Sequence, residues 1–278
     1  MVTRLKTSDI AGIIPCLAQF DAVLERKTGK NLFGVACHGI RADKNKASRI
    51  VPKLTIAVIP FTSGLGIISN FCLTVKEIVA HLGFLSFVTH ETDASGLAEA
   101  YEKSADIIMM ADDNRYIALQ LRQMKIVDNG WATGNAFASA LDLMAEGLKD
   151  KNVLVTGCGP VGQAAIQTLM DFGANVSVYD PYVEKTRAFS LDLLKLYKKR
   201  LMIESSLKDS VGKYRYIIEA STAKDIIDID DISQKTIITA PGVPLGVTDR
   251  AVKKLGSQIL HDTLQLGTAT MALKAAMF

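Results

Sequence analysis

The sequence predicts an α/β protein of two domains, each built on a parallel sheet, with a C-terminal helix that returns to the first domain. Three observations carry this. From Leu54 onward, short apolar strand-like runs alternate with amphipathic helical stretches. A run ending at Thr156 passes into three glycines spaced G-x-G-x-x-G, from Gly157 to Gly162, and then into a helical pattern. A second strand-like run, Ala174–Tyr179, ends in an acid, Asp180, 23 residues beyond Gly157.

Glycines at a strand-to-helix junction have distinct tasks. Gly157 closes the turn, Gly159 lets the backbone approach a pyrophosphate and Gly162 lets the helix pack on the strand, with Cys158, Pro160 and Val161 between them. The alternative is an unrelated α/β turn. Asp180 argues against it, because an acid about 20 residues on binds the adenine ribose hydroxyls of a dinucleotide. Pro181 and Tyr182 follow it rather than an arginine, so a 2′-phosphate would face an uncompensated carboxylate, and NAD is expected over NADP. The second domain is therefore expected to be a Rossmann domain. Ser221 and Thr222, after the strand that ends at Ala220, and Pro241 and Gly242, after the next, fall by topology where Rossmann loops touch the nicotinamide end.

The 278 residues, 49% of them hydrophobic, support one large or two ordinary domains. A net charge of +3 spread along the chain suggests neither a nucleic-acid stripe nor a membrane-binding tail. Cys16, Cys37, Cys72 and Cys158 have neither C-x-x-C spacing nor histidines at zinc intervals, so no metal site or disulfide framework is expected and they read as reduced thiols, most of them buried. The first residues lack an apolar export segment, and the cytoplasm is the expected location. Leu54–Val75 has no charged residue, yet Pro60, Gly64 and Gly66 interrupt it, so it reads as strand, glycine loop and helix rather than a membrane span. A homodimer acting on a small-molecule substrate is expected.

In chain order, Ser8–Lys27 shows a helical apolar face in which Pro15 is a candidate kink, and the basic stretch Arg41–Lys53 a solvated loop or short helix. Leu54–Ile59, Phe84–Thr89 and Asp106–Met110 read as strands of a parallel sheet, separated by helices at Ile67–Leu82 and Leu97–Lys103. A small-residue helix, Trp131–Leu148, leads to the glycine turn. After it come a helix over Glu184–Arg200, strands near Tyr214–Ala220 and Lys235–Thr239, a helix over Asp249–Leu255 and a helical tail from Leu264. The expected domains are 1–148 for substrate and catalysis, 149–263 for the dinucleotide, and a helix over 264–278 that packs on the first domain.

Loops at the carboxyl ends of strands are where open α/β sheets hold ligands. Ser63 to Gly66 could grip an anion or be a plain turn, and Asn70 could face the same mouth or cap a helix. Asp112 and Asp113 follow a buried strand, and adjacent carboxylates there fit either a site or a helix N-cap with an exposed neighbour. His38, His81 and His90 have no acid at fixed spacing and read as surface or satisfied core residues, whereas His261 stands beside Asp262 after the last strand.

Several segments together resemble one family: Ile59–Phe71, Phe87–Thr89 with Asp93–Gly96, Ile107–Asp113, and Leu266–Thr270. They are similar to the PylD family of pyrrolysine-forming dehydrogenases. The resemblance implies an NAD-dependent oxidation of the terminal amine of lysine-Nε-3-methyl-ornithine, loss of ammonia and closure of a pyrroline ring. It implies that Ser63, Asn70 and Phe71 hold the substrate, that Asp112 faces its amine, and that Asp262 falls where the family has a carboxylate. It also implies an N-terminal helix closing over the substrate, with Leu5 as a contact. Residues 41–53 and 184–200 read as longer than the family pattern. Two other readings stand beside it: another amino-acid or hydroxy-acid dehydrogenase, disfavoured by the lack of a lysine near Ser63–Phe71 or Asp112, and a non-catalytic NAD-sensing module, disfavoured by three polar loops.

Overall fold

The structure, a computed structural model, describes residues 5–278. Two compact units account for it: one comprises the described residues up to Glu25, Lys30–Ala132 and Thr263–Phe278, the other Arg26–Gly29 and Thr133–Asp262.

The first unit opens with a short helix α1 (Thr7–Ile10) and a longer α2 (Ile13–Thr28). The single helix expected over Ser8–Lys27 is thus broken at Ala11 and Gly12, ahead of Pro15. Pro15 sits in the first turn of α2, where its missing N–H has no intrahelical partner to lose, so it does not kink the helix. Helices α3 (Leu32–Gly39) and α4 (Lys44–Ile50) follow, capped by the side chains of Asn31 and Asp43.

Next come β1 (Thr55–Ile59), α5 (Phe71–His81), β2 (Leu85–Val88), α6 (Asp93–Glu102) and β3 (Ile107–Ala111). Strand β1 pairs in parallel with β2 and β3, as the alternating pattern requires. The sheet is not wholly parallel, however. β4 (Tyr116–Gln120) and β5 (Lys125–Asp128) extend it antiparallel, giving the order β2-β1-β3-β4-β5. The loop after β3 is therefore a hairpin turn rather than a strand-to-helix crossover.

Helix α7 (Asn129–Met144) begins in the first unit and continues into the second, so the contact division falls between Ala132 and Thr133 rather than at 148/149. The physical reason is packing. Ala138, Leu141, Ala145 and Leu148 belong to the second unit's apolar core together with Val153, Val155 and Ile166.

That unit contains β6 (Asn152–Thr156), α8 (Pro160–Asp171), β7 (Asn175–Tyr179), α9 (Val183–Tyr197), β8 (Met202–Ile203), α10 (Leu207–Val211), β9 (Tyr216–Glu219), β10 (Ile237–Ala240), α11 (Asp249–Leu255) and β11 (Ile259–His261). Its sheet is parallel throughout, in the order β11-β10-β9-β6-β7-β8. That is the doubly wound Rossmann order, with the switch point beside β6.

The last helix, α12 (Gln265–Ala276), is part of the first unit and packs on α3, α5 and β4. Nearly all of its residues are buried, which explains why the tail reads as apolar all round. No helix of the described residues is long and apolar enough to cross a membrane.

Gly134 on α7 marks a close approach within the second unit. A Cβ there would overlap the Val161 carbonyl and lie 2.7 Å from both Ala164 Cβ and the Ala165 amide. Gly134→Ala is expected to lower stability by about 1–3 kcal/mol in urea unfolding, because the overlap can be relieved only by moving α7 off α8. Gly12→Ala, with nothing within 4 Å of a Cβ, is the control and should leave the transition unchanged.

Candidate active site

In the second unit the glycine turn has the conformation its spacing implies. Gly157 has φ +95°, and a Cβ on it would come within 2.6 Å of the Ala220 carbonyl oxygen. A Cβ on Gly162 would overlap the Gly157 carbonyl, so backbone packs on backbone at the junction of β6 and α8. Gly159 differs from both. It is exposed, its φ of −75° is ordinary, and nothing lies within 4 Å of a Cβ placed there. Helix α8 starts from Gly159 with Pro160 in its first turn and, among the described residues, no side-chain cap. Val161 is half-buried and Cys158 buried, and burial holds the Cys158 thiol above its usual range.

Asp180, directly after β7, steadies this turn. One carboxylate oxygen accepts from the Cys158 amide at 2.6 Å and the other from the Tyr182 amide at 2.8 Å, while Pro181 between them is exposed. A carboxylate offers about four acceptor sites, so these bonds leave capacity for ribose hydroxyls. Open space over Gly159, the uncapped helix and the Asp180 carboxylate fit a dinucleotide.

Sequence reasoning missed the group between the other two loops. Glu219 ends β9 and is 0% exposed. Its Oε1 accepts from the Ser221 amide at 2.9 Å and hydroxyl at 2.5 Å, and its Oε2 from the Gly246 amide at 3.1 Å. Burial pushes its carboxyl above the ordinary glutamate value, while the hydrogen bonds from Ser221 and Gly246 pull it down. Thr222 is exposed and Pro241 half-buried, but Gly242 is buried and its amide donates to the Glu219 carbonyl at 3.3 Å. One acid in an otherwise apolar run, Tyr216-Ile-Ile-Glu219, is the signal that could have found it.

In the first unit, loops from three strands meet at the carboxyl edge of the sheet. The Asp93 carboxylate accepts from the Thr62 amide at 2.9 Å and hydroxyl at 2.6 Å, and these bonds hold it below the usual carboxylate range. Asp113 Oδ2 accepts from the Leu65 amide at 2.6 Å, and its carboxylate fills the space a Cβ on Gly64 would need. Asp112 is exposed and occupied differently. Its Oδ1 accepts from the Asn114 and Arg115 amides at 2.8 and 2.7 Å, closing the hairpin between β3 and β4, while Oδ2 has no partner among the described residues. Asp112 is thus a turn residue, not a helix cap.

Ser63 is exposed between Thr62 and Gly64. Asn70, also exposed, stands before α5 with φ +64° and without a side-chain cap, while its carbonyl receives the Thr74 amide and hydroxyl. Phe71 meets Tyr116 edge-on at 5.4 Å, and the Tyr116 hydroxyl and Thr268 Oγ1 on α12 are 3.2 Å apart. Leu5 is half-buried ahead of α1. Asp262 is buried after β11, and His261 Nδ1 lies 2.7 Å from the Ala240 carbonyl. His81 does have an acid partner, brought by the fold rather than by spacing: Asp21 at 2.9 Å.

Two expectations test these assignments. Gly159→Ala should keep the wild-type unfolding midpoint yet lose NAD⁺ binding in calorimetry, whereas Gly162→Ala should be destabilised by about 1–3 kcal/mol. Equal stability of the two would contradict the packing described. For Glu219, a folded pKa above the ordinary 4.5 favours the protonated form in the fold. That contribution is complete below the unfolded pKa and is lost as pH rises through the folded one. The unfolding free energy of wild type minus that of Glu219→Gln should therefore fall as pH climbs above 4.5, and a difference that is flat with pH would refute it.

Known proteins share both halves of this arrangement. Residues 9–127 match the N-terminal domain of "Pyrrolysine biosynthesis protein PylD", and residues 115–207 match the "D-isomer specific 2-hydroxyacid dehydrogenase, NAD binding domain". The second unit is accordingly an NAD-binding Rossmann domain. Shikimate dehydrogenase from Aquifex aeolicus, 17% identical, has a TM-score of 0.54 over 81% of this chain and 91% of its own. Quinate dehydrogenase from Corynebacterium glutamicum, 12% identical, has a TM-score of 0.55 over 80% and 93%. These two share the fold. The pyrrolysine synthase of Methanosarcina acetivorans is 31% identical over 96% of this chain and 97% of its own length, and that of Methanosarcina barkeri 30% identical over 96% and 95%. Identity of that order, sustained through both units, places the chain in the pyrrolysine synthase family.

Proposed function

We propose that the chain oxidises the terminal amine of lysine-Nε-3-methyl-ornithine, using NAD⁺, and so forms pyrrolysine. The observation that carries this reading is the match to pyrrolysine synthases over 96% of the chain, which includes the first unit and not the NAD-binding half alone. In this reading the first unit serves substrate and catalysis, the second the dinucleotide, and residues 264–278 the support of the first unit. Ser63, Asn70 and Phe71 hold the substrate, with Leu5 and Asp262 as further contacts.

The chemistry requires a proton acceptor. An ammonium cannot release hydride from its carbon until it is deprotonated, and Asp112, or a water that it holds, takes that proton. Two turn amides fix Asp112 Oδ1, which leaves Oδ2 for this task. Bound NAD⁺ supplies the hydride acceptor. The substrate imine then adds water and releases ammonia, and the resulting aldehyde condenses with the neighbouring α-amine, expelling water as the pyrroline ring closes. Water taken up by hydrolysis equals water lost at closure. The match of residues 115–207 to a hydroxy-acid dehydrogenase model concerns NAD binding and leaves this substrate reading intact.

Purified protein incubated with NAD⁺ and lysine-Nε-3-methyl-ornithine should yield NADH, followed by absorbance, and a pyrroline product identified by mass. Turnover of a simple amino acid instead would reject the reading. Asp112→Asn should bind NAD⁺ as wild type does but lose about 100-fold or more in kcat. Asp113→Asn, which loosens the Leu65 loop, should act mainly on KM. Activity retained by Asp112→Asn would move the proton acceptor elsewhere.

A further inference from the structure

We propose that Glu219 is a positioning residue for the nicotinamide half of NAD, its buried carboxylate holding two separate loops of the second unit as one platform. The strand order sets the location. Asp180 at the end of β7 lies on the adenosine side of the glycine turn, so the other half of a dinucleotide belongs over the ends of β9 and β10 on the opposite side of β6. Glu219 is the last residue of β9, paired in register with Thr156 immediately before the glycines.

The carboxylate joins what those two strands present. Oε1 takes the Ser221 amide and hydroxyl from the loop after β9, and Oε2 takes the Gly246 amide from the loop after β10. The Ser221 hydroxyl also accepts from the Ala223 amide at 3.2 Å, which carries the constraint one residue past exposed Thr222. On the other loop there is no room for a side chain beside the acid: a Cβ on Gly242 would lie 2.6 Å from Oε2, and one on Gly246 2.5 Å from the carboxylate carbon. Both loops are thus moulded on Glu219.

Stability alone does not account for an acid here. A buried carboxylate carries a desolvation penalty that a well-packed apolar residue would avoid. What the acid provides is three donors from two loops drawn to one point, which fixes the height and tilt of Thr222 and Pro241 over the sheet. Preorganised contacts of that kind raise affinity by reducing the ordering that binding must impose.

The inference rests on the NAD-binding domain and not on the substrate, and binding experiments keep the two apart. Glu219→Gln keeps the size but turns an acceptor into an amide that faces the Ser221 or Gly246 N–H, donor against donor. In the full chain, NADH affinity, read by fluorescence, should fall about tenfold or more. ADP-ribose, which lacks the nicotinamide, should bind within about twofold of wild type in calorimetry. Glu219→Asp keeps a carboxyl acceptor but is one methylene too short to reach both loops, and should lose NADH affinity to a smaller degree with ADP-ribose unchanged. A scaffold role alone would weaken both ligands together or neither, and either result overturns the proposal. Should Glu219→Gln fail to fold, Glu219→Asp decides by the same two ligands.

Discussion

Carboxylates that accept backbone amides fix the loops at the strand ends of both units. Asp113 holds the Leu65 amide and Asp93 the Thr62 amide in the first unit, while Asp180 holds Cys158 and Tyr182 and Glu219 holds Ser221 and Gly246 in the second. A loop between a strand and a helix has amides that no ladder satisfies, and each must find an acceptor. An ionised side chain is a stronger acceptor than a neutral carbonyl. Irregular segments that would otherwise sample many conformations are tied to acids at the start of α6 and at or just beyond the ends of β3, β7 and β9.

The same device explains the positions of several glycines. Where a carboxylate lies directly against backbone, no side chain fits, as at Gly64 beneath Asp113 and at Gly242 and Gly246 around Glu219. Gly157 and Gly162 answer to a different constraint, since the atoms they avoid are the Ala220 and Gly157 carbonyls. Gly159 alone in its motif faces open space. Within this motif neither packing nor a left-handed backbone demands a glycine at position 159, so the approach of a pyrophosphate is the reason left for it, and that separates it from the two that serve packing.

The legible parts of the sequence were those governed by local periodicity or by a short motif. The glycine turn and the strand and helix alternation from Thr55 to Ala111 lie within a few residues of their cause, and Asp180 stands at a motif spacing, 23 residues beyond Gly157. Strands β4 and β5 were not legible, because Tyr116–Gln120 and Lys125–Asp128 have neither the continuous apolar character of β3 nor strict alternation, and the pairing of β4 with β3 and of β5 with β4 is a tertiary outcome. The break between α1 and α2 was hidden for a related reason, since the apolar face of Ser8–Lys27 continues through it. Asp112 and Asp113 could be seen as a pair but not told apart. Only the hairpin turn sends one to the Asn114 and Arg115 amides and the other to the loop after β1.

Glu219 was the hardest residue to read, and the reason is energetic. In a strand with the burial pattern of Tyr216–Glu219, every position is interior, and an acid there looks like an error in an apolar run. Its cost falls only if donors converge on it, and those donors come from Ser221, two residues on, and from Gly246, 27 residues on. Neither separation repeats or marks a motif. A lone buried acid at the carboxyl end of a Rossmann strand is therefore best treated as a question about which loops it gathers. In this chain the answer lies on the side of the glycine turn opposite Asp180, where the sequence offered topology and no signature.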